Sequence, residues 1–353
     1  MRVKKDKNFI SCFDEKNGNY IRSGIIRDGK DTGEDPFMAS FPELLDVGIM
    51  GHCIHGKTGL CIKSGVECYQ NGLHADNPNM KLEDFSYIAE QCNGKTFQFA
   101  LGGCGDPDQH ENFEEILKIC QSNKIVPNFT TSGFGLSEEL ACTCKKYCGA
   151  VAVSWYRSDY TLHAINYLLK AGIKTNIHYV LQSDTISEAL ERLKEKTFPI
   201  GINAIVFLLH KPVGLGSTKK IVKLDNRNFQ EFISYVGSEK LNYKIGFDSC
   251  TVPSLLQNLG NIDLVSLDTC EAARWSAYVT PDLKLLPCSF DNQNQKWAVD
   301  LQKYSIQEAW NSPIFEDFRN KFRNSCSDCQ KRKFCLGGCP IIPEINLCPK
   351  KAL

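Results

Sequence analysis

The stretch LLDVGIMGHCIHGKTGLCIKSGVECYQNG, Leu44 to Gly72, joins an apolar run to a loop carrying Cys53, Cys61 and Cys68. Its first part, LLDVGIM (Leu44–Met50), is a short branched-aliphatic run stopped by Gly51, which reads as a strand ending near the first thiol. Downstream, the same kind of run returns as KTFQFALGG (95–103), IVPNFTTSG (125–133), GAVAVSW (149–155), KTNIHYVL (174–181) and NAIVFLLH (203–210). Amphipathic stretches lie between them, among them NFEEILKICQSN, LSEELACTCKKY, TLHAINYLLKAG and SEALERLKEK. Strand and helix patterns in alternation predict βα units around a parallel sheet. Six such units are too few to close an eight-stranded barrel, so the expected fold is α/β, a partial (β/α)6 TIM barrel over residues 44–249. In such a barrel the chemistry sits on the loops that follow the strands.

The flanks differ. Residues 1–43 read as a short N-terminal extension of hairpin type. Residues 250–353 break into turn-rich pieces with seven cysteines beyond Cys250. A segment of that kind has little core of its own and is expected to need metal to hold its shape.

Composition narrows the partners. The 41 basic and 41 acidic residues cancel and are spread along the chain, which argues against a nucleic-acid surface. The longest apolar runs, such as AIVFLL (204–209), are far shorter than the ~20 residues that cross a bilayer. The start, MRVKKDKNF, is followed by no apolar signal region, so the expectation is a cytoplasmic protein without a membrane partner. Eighteen cysteines in that compartment stay reduced, and reduced thiols point to metal ligands or catalysts. A disulfide-rich secreted protein would instead bring a signal peptide and a smaller apolar content.

The densest thiol pattern is CSDCQKRKFCLGGC (Cys326, Cys329, Cys335, Cys339), followed by Cys348 and preceded by Cys270 and Cys288. One zinc would use four of these and leave three over, so two iron–sulfur clusters fit the count better. The spacing resembles the SPASM domain, which ends a branch of the radical S-adenosylmethionine (SAM) enzymes. That resemblance implies a first auxiliary cluster on Cys270, Cys288 and Cys339, and a second on Cys326, Cys329, Cys335 and Cys348. Cys250 is the candidate fourth ligand of the first.

The loop after the first strand then acquires a meaning. Radical SAM enzymes place a CxxxCxxC loop there, whose three thiolates leave one iron of a [4Fe–4S] cluster open to SAM. Here Cys53, Cys61 and Cys68 are separated by seven and six residues, four more than the family spacing in each gap, and an aromatic residue, Tyr69, follows the third thiol as it commonly does in the family. Loop insertions cost little entropy, and ligands need only converge in space.

LGGCGDP (101–107) is similar to the family's Gly-Gly-Glu-Pro loop, implying contacts to SAM from Gly102, Gly103, Gly105 and Asp106. Thr131 in TTSG, Ser154, Arg157, His178, and Val213 with Gly214 in HKPVGLGS are further expected cofactor contacts. Cys142, Cys144 and Cys148 match no family cluster and read as free thiols, as do Cys12 and Cys120. Some family members use a cysteine as hydrogen-atom donor, for which Cys92 and Cys104 are the candidates.

By resemblance the chain is expected to hold three [4Fe–4S] clusters and SAM, with a flavodoxin- or ferredoxin-type reductant. It would abstract hydrogen from a peptide and install a thioether or carbon–carbon cross-link, with a separate leader-recognition protein as a possible helper. The alternatives are modification of a small metabolite or of an enzyme's active-site residue, or a non-catalytic electron-transfer or scaffold protein.

Overall fold

A computed structural model describes every residue except 66, 260–261, 263–265 and 350–353; the end of the 250–353 segment thus lies outside the described residues. Five short strands come first. β1 (Arg2–Lys5), β2 (Ile10–Phe13) and β3 (Tyr20–Arg22) form an antiparallel sheet, and β4 (Ile26–Arg27) pairs with β5 (Lys30–Asp31).

The central sheet begins at β6 (Leu44–Met50), followed by the short helices α1 (Ile54–Thr58) and α2 (Leu60–Lys63), and then α3 (Leu82–Cys92). It continues β7 (Gln98–Gly103), α4 (Phe113–Ser122), β8 (Val126–Thr131), α5 (Glu138–Tyr147), β9 (Ala150–Ser154), α6 (Asp159–Ala171), β10 (Lys174–Leu181), α7 (Ile186–Glu195), β11 (Ala204–Leu209), α8 (Arg227–Ser238) and β12 (Ile245–Phe247). β6 to β12 are parallel neighbours in chain order.

These sequences form these elements for local reasons. α4 buries Phe113, Ile116, Leu117 and Cys120, one stripe at helical spacing. α5 starts at Ser137, whose hydroxyl accepts from the Leu140 amide, with Glu138 and Glu139 in its first turn and Lys145 and Lys146 in its last. β10 alternates strictly, burying Thr175, Ile177, Tyr179 and Leu181 under the helices and turning Asn176, His178 and Val180 to the other face.

The six expected βα units are present, and the sheet is longer than predicted. β12 extends one edge, and β13 (Ser276–Val279) runs parallel to β6 at the other, carrying antiparallel β14 (Lys284–Leu286) and β15 (Val299–Asp300). After α9 (Val252–Asn258), the C-terminal segment adds α10 (Ile306–Trp310), α11 (Pro313–Arg323) and α12 (Arg332–Cys335).

The expectation that this segment has little core is corrected. Trp297, Trp310, Phe315, Phe318 and Phe322 are buried and join one apolar cluster running from Phe41 to Leu347. Trp297 stacks edge-on against Phe318 with ring centroids 5.0 Å apart. No helix among the described residues is long and apolar enough to cross a membrane.

Candidate active site

Strand alternation points one side chain in two at a cavity of about 430 Å³ on the C-terminal side of β6 to β11. Asp46, Gly102, Thr130, Ser154, His178, Leu208 and Tyr278 reach it from seven strands. Its size falls in the ~300–1,000 Å³ range of small-molecule sites.

Cys53, Cys61 and Cys68 all line this cavity and also a narrow void beside it. The residues that lengthen the loop are folded as α1 and α2. Cys53 caps α1, its sulfur accepting from the Gly56 amide at 3.3 Å, and Gly59 turns the chain between the helices. Cys61 faces the Tyr156 hydroxyl at 3.6 Å, and Cys68 accepts from the Gly72 amide at 3.5 Å. The turn is tight: a Cβ on Gly56 would lie 2.0 Å from the Gly72 carbonyl oxygen. Burial raises the Cys53 thiol and pushes Cys61 up to about 11, so both are protonated until a metal supplies positive charge. Among the described residues no three His, Cys, Asp or Glu side chains converge tightly enough for one metal ion. The thiols surround voids instead, which suits a multinuclear cluster better than zinc.

The glycine loop lies against this thiol loop. Gly102 opens on the cavity, with nothing within 4 Å of where a Cβ would be. Gly105 packs on the backbone of His52 and Cys53. Asp106 is committed within the protein, its carboxylate accepting from the Ser132 amide (3.0 Å), the Ser132 hydroxyl (2.5 Å) and His55 Nε2 (3.0 Å). It therefore braces the thiol loop against the end of β8. Cys104 lines the cavity, its thiol donating to the Gln70 carbonyl at 3.2 Å.

Ser154 and His178 also line the cavity. The His178 ring lies 3.2 Å from the Thr130 hydroxyl, and burial lowers its pKa to about 4, leaving it neutral.

The other expected contacts are placed as follows. Thr131 is fully buried on the helix side of β8 and accepts from the Gly133 amide; its neighbours Thr130 and Ser132 face the cavity. Arg157 borders the cavity, but its guanidinium donates to Glu188 (2.6 Å) and Tyr179 (3.1 Å). Val213 and Gly214 do not line the cavity; Gly214 backs the Cys68–Tyr69 peptide, and the next amide, Leu215, donates to the Cys68 carbonyl at 2.9 Å. Cys92 is fully buried under α3 within the apolar core, away from the cavity, because it continues the stripe of Phe85, Ile88 and Ala89.

Asp46, Gln70, Tyr156, Gln182, Lys211 and Tyr278 line the cavity and were not singled out from sequence. Asp46 could have been found as the lone charge inside an apolar strand, and burial raises its pKa to about 7. Two cavity-side polar atoms, Gln70 Nε2 and Tyr278 Oη, are left without a well-formed hydrogen bond among the described residues. Unpaired buried donors beside an open glycine backbone fit a polar ligand such as SAM.

Two further thiol groups gather beyond the cavity. Cys250 and Cys339 are hydrogen-bonded to each other, and Cys250, Cys270 and Cys288 perturb one another electrostatically. Cys326, Cys329, Cys335 and Cys348 ring a second narrow void next to α9. Cys250, Cys270, Cys288 and Cys339 thus lie in one neighbourhood and Cys326, Cys329, Cys335 and Cys348 in another.

Residues 270–330 match the SPASM family, an iron-sulfur cluster-binding domain. No curated protein matches the chain in sequence. Among solved structures, SuiB of Streptococcus suis bound to S-adenosylmethionine is similar over 90% of this chain and 78% of its own, with a TM-score of 0.65 at 17% identity. SuiB bound to its precursor peptide SuiA gives 0.65 at 17% identity, over 90% and 77%. The enzyme anSMEcpe, with bound AdoMet and the Cp18Cys peptide, gives 0.60 at 17% identity, over 86% and 90%. The fold is therefore the open parallel barrel of those structures, followed by a segment that matches the SPASM domain over residues 270–330.

Proposed function

We propose that the chain is a radical SAM/SPASM enzyme acting on a peptide. The observation that carries this reading is that Cys53, Cys61 and Cys68 open on the same cavity as Gly102, Ser154 and His178. The likeness to proteins solved with AdoMet and with peptides supports the choice of ligand and of substrate class.

In this reading Cys53, Cys61 and Cys68 hold a [4Fe–4S] cluster, Cys250, Cys270, Cys288 and Cys339 a second, and Cys326, Cys329, Cys335 and Cys348 a third. The first cluster, when bound, supplies the electron that cleaves SAM to methionine and a 5′-deoxyadenosyl radical, which takes hydrogen from the substrate. The chain's own contribution is placement. Gly102 lets the backbone approach the ligand, Gln70 Nε2 and Tyr278 Oη offer donors, and neutral His178 presents an uncharged polar edge. Residues 44–249 carry most of this cavity, and 250–353 carry the auxiliary thiols and close the cavity with Tyr278, Ser289 and Phe290. We assign the product as a thioether or carbon–carbon cross-link, made in the cytoplasm with a flavodoxin- or ferredoxin-type reductant, three clusters and a separate leader-recognition protein.

Changing Cys53, Cys61 and Cys68 together to Ala tests the reading. Formation of 5′-deoxyadenosine under dithionite should vanish, while iron and sulfide fall only by the share of one cluster. Cleavage that persisted in the triple variant would disprove it.

A further inference from the structure

Lys211 is a buried cation whose place in the fold the chemistry above does not use. It follows β11, is 8% exposed, and borders the cavity. Its ammonium is paired with Asp248 and stands 5.1 Å from the centre of the Phe290 ring. Asp248 lies two residues before Cys250, and Phe290 two residues after Cys288, so the ammonium is held from both sides by segments that carry the first auxiliary thiols. Cys250 and Cys339 are among the groups that act on it electrostatically.

Burying an ammonium costs several kcal/mol, which a carboxylate offsets only with good geometry. Asp248 does not serve Lys211 alone, since it also accepts from the Leu209 amide at 3.1 Å and the Thr251 hydroxyl at 2.7 Å. Burial alone would discharge the amine; Asp248 and the nearby thiols outweigh it and keep the charge in place. The other cation near this thiol group, Arg274, points to the far side, donating to the Cys270 carbonyl at 3.0 Å and the Thr269 hydroxyl at 2.7 Å. The acidic groups nearby are Asp248, Glu271 and Asp46.

We infer that Lys211 is a positioning residue that raises the reduction potential of the cluster held by Cys250, Cys270, Cys288 and Cys339. The inference rests on the reading that these four thiols hold a cluster. Reduction takes a [4Fe–4S]²⁺ centre to [4Fe–4S]⁺ and adds one negative charge, and a fixed cation in a low-dielectric wall favours that state. The electron would come from the carbon radical left after hydrogen abstraction, which loses one electron to the oxidised cluster and one proton to solvent as the new bond forms. Lys211, between the cavity and the thiols, makes that transfer downhill.

The test is a potentiometric titration followed by electron paramagnetic resonance on the full-length, reconstituted protein. Lys211→Met should move one midpoint to a more negative potential, and Lys211→Arg should restore it. Lys211→Gln, polar and uncharged, should move the same midpoint the same way as Lys211→Met, which damage done by one particular side chain would not do. A midpoint that stays put or moves to a more positive potential in Lys211→Met and Lys211→Gln, with wild-type iron and sulfide, would overturn the inference. Wild-type protein with iron for only one cluster would remove the underlying reading as well.

Discussion

Asp106 offers the sharpest test of how the thiol loop is held. Replacing it with Ala leaves the Ser132 amide and His55 Nε2 without acceptors, and both residues are buried, at 1% and 3% exposure. A buried donor left unpaired costs about 1–3 kcal/mol, so the two together are worth about 3 kcal/mol once local relaxation is allowed. The strain falls on the junction between α1 and the end of β8, since His55 lies in α1 and Ser132 follows β8. At about 1.4 kcal/mol per factor of ten, the equilibrium constant for the correctly folded thiol loop should drop about a hundredfold. The assay is iron and sulfide per chain after anaerobic reconstitution, read beside 5′-deoxyadenosine formation. Asp106→Ala should lose about four irons and its SAM cleavage while keeping the C-terminal complement. Asp106→Asn, which keeps one acceptor oxygen for Ser132, should fall between. An Asp106→Ala protein with full iron, wild-type cleavage and unchanged urea unfolding would show that this bracing has been misread.

Gly214→Ala places a Cβ 2.4 Å from the Tyr69 carbonyl oxygen at a backbone φ of +61°, so it should push the Cys68 segment away and lower iron incorporation without changing the far C-terminal thiols. Colorimetric iron and sulfide measurement checks this, and full loading would refute it. His178 has a folded pKa of about 4, below the unfolded value of about 6.5, so the unfolded chain takes up the proton first as the pH falls. Its contribution is complete above pH 6.5 and lost toward pH 4, about 2 kcal/mol of it by pH 5, less what cavity water screens. Urea unfolding at pH 7.5 and 5 should show that slope in the wild type and a flatter one in His178→Gln. Cys92→Ala should cost about 1 kcal/mol in unfolding and leave 5′-deoxyadenosine formation intact, since the thiol lies in the core away from the cavity. Loss of turnover in a well-folded Cys92→Ala protein would restore it as a hydrogen donor.

The barrel was legible because its strands are apolar runs of ordinary length separated by helical periods, and those signals are local. The same locality hid β12 and β13. IGF (245–247) and SAYV (276–279) are too short to announce themselves, and β13 earns its place only by pairing with β6, more than 220 residues away. Thr131 failed as a prediction for a related reason. A motif names a neighbourhood, while the two-residue period of a strand decides which member faces the cavity, and the parity of β8 selects Thr130 and Ser132. Lys211 and Tyr278 stand on the segments that follow β11 and form β13, so their shared cavity wall appears only when the sheet is assembled.

The long gaps between Cys53, Cys61 and Cys68 carry a more general lesson about ligand spacing. Doubling a loop costs only about 0.6 kcal/mol in closure entropy, so four extra residues per gap are a small burden if they fold. Here they do, as two helical turns joined at Gly59 and started by Cys53, whose thiol caps the first of them. What replaces a fixed short spacing is bracing from outside the loop. His55 is held by Asp106, the Cys68 carbonyl by the Leu215 amide, and the next amide along, Gly216, is tied to Val213. The placement of the three thiols around one cavity is thus a property of three separate βα loops pressing on one another, which no spacing within a single loop records.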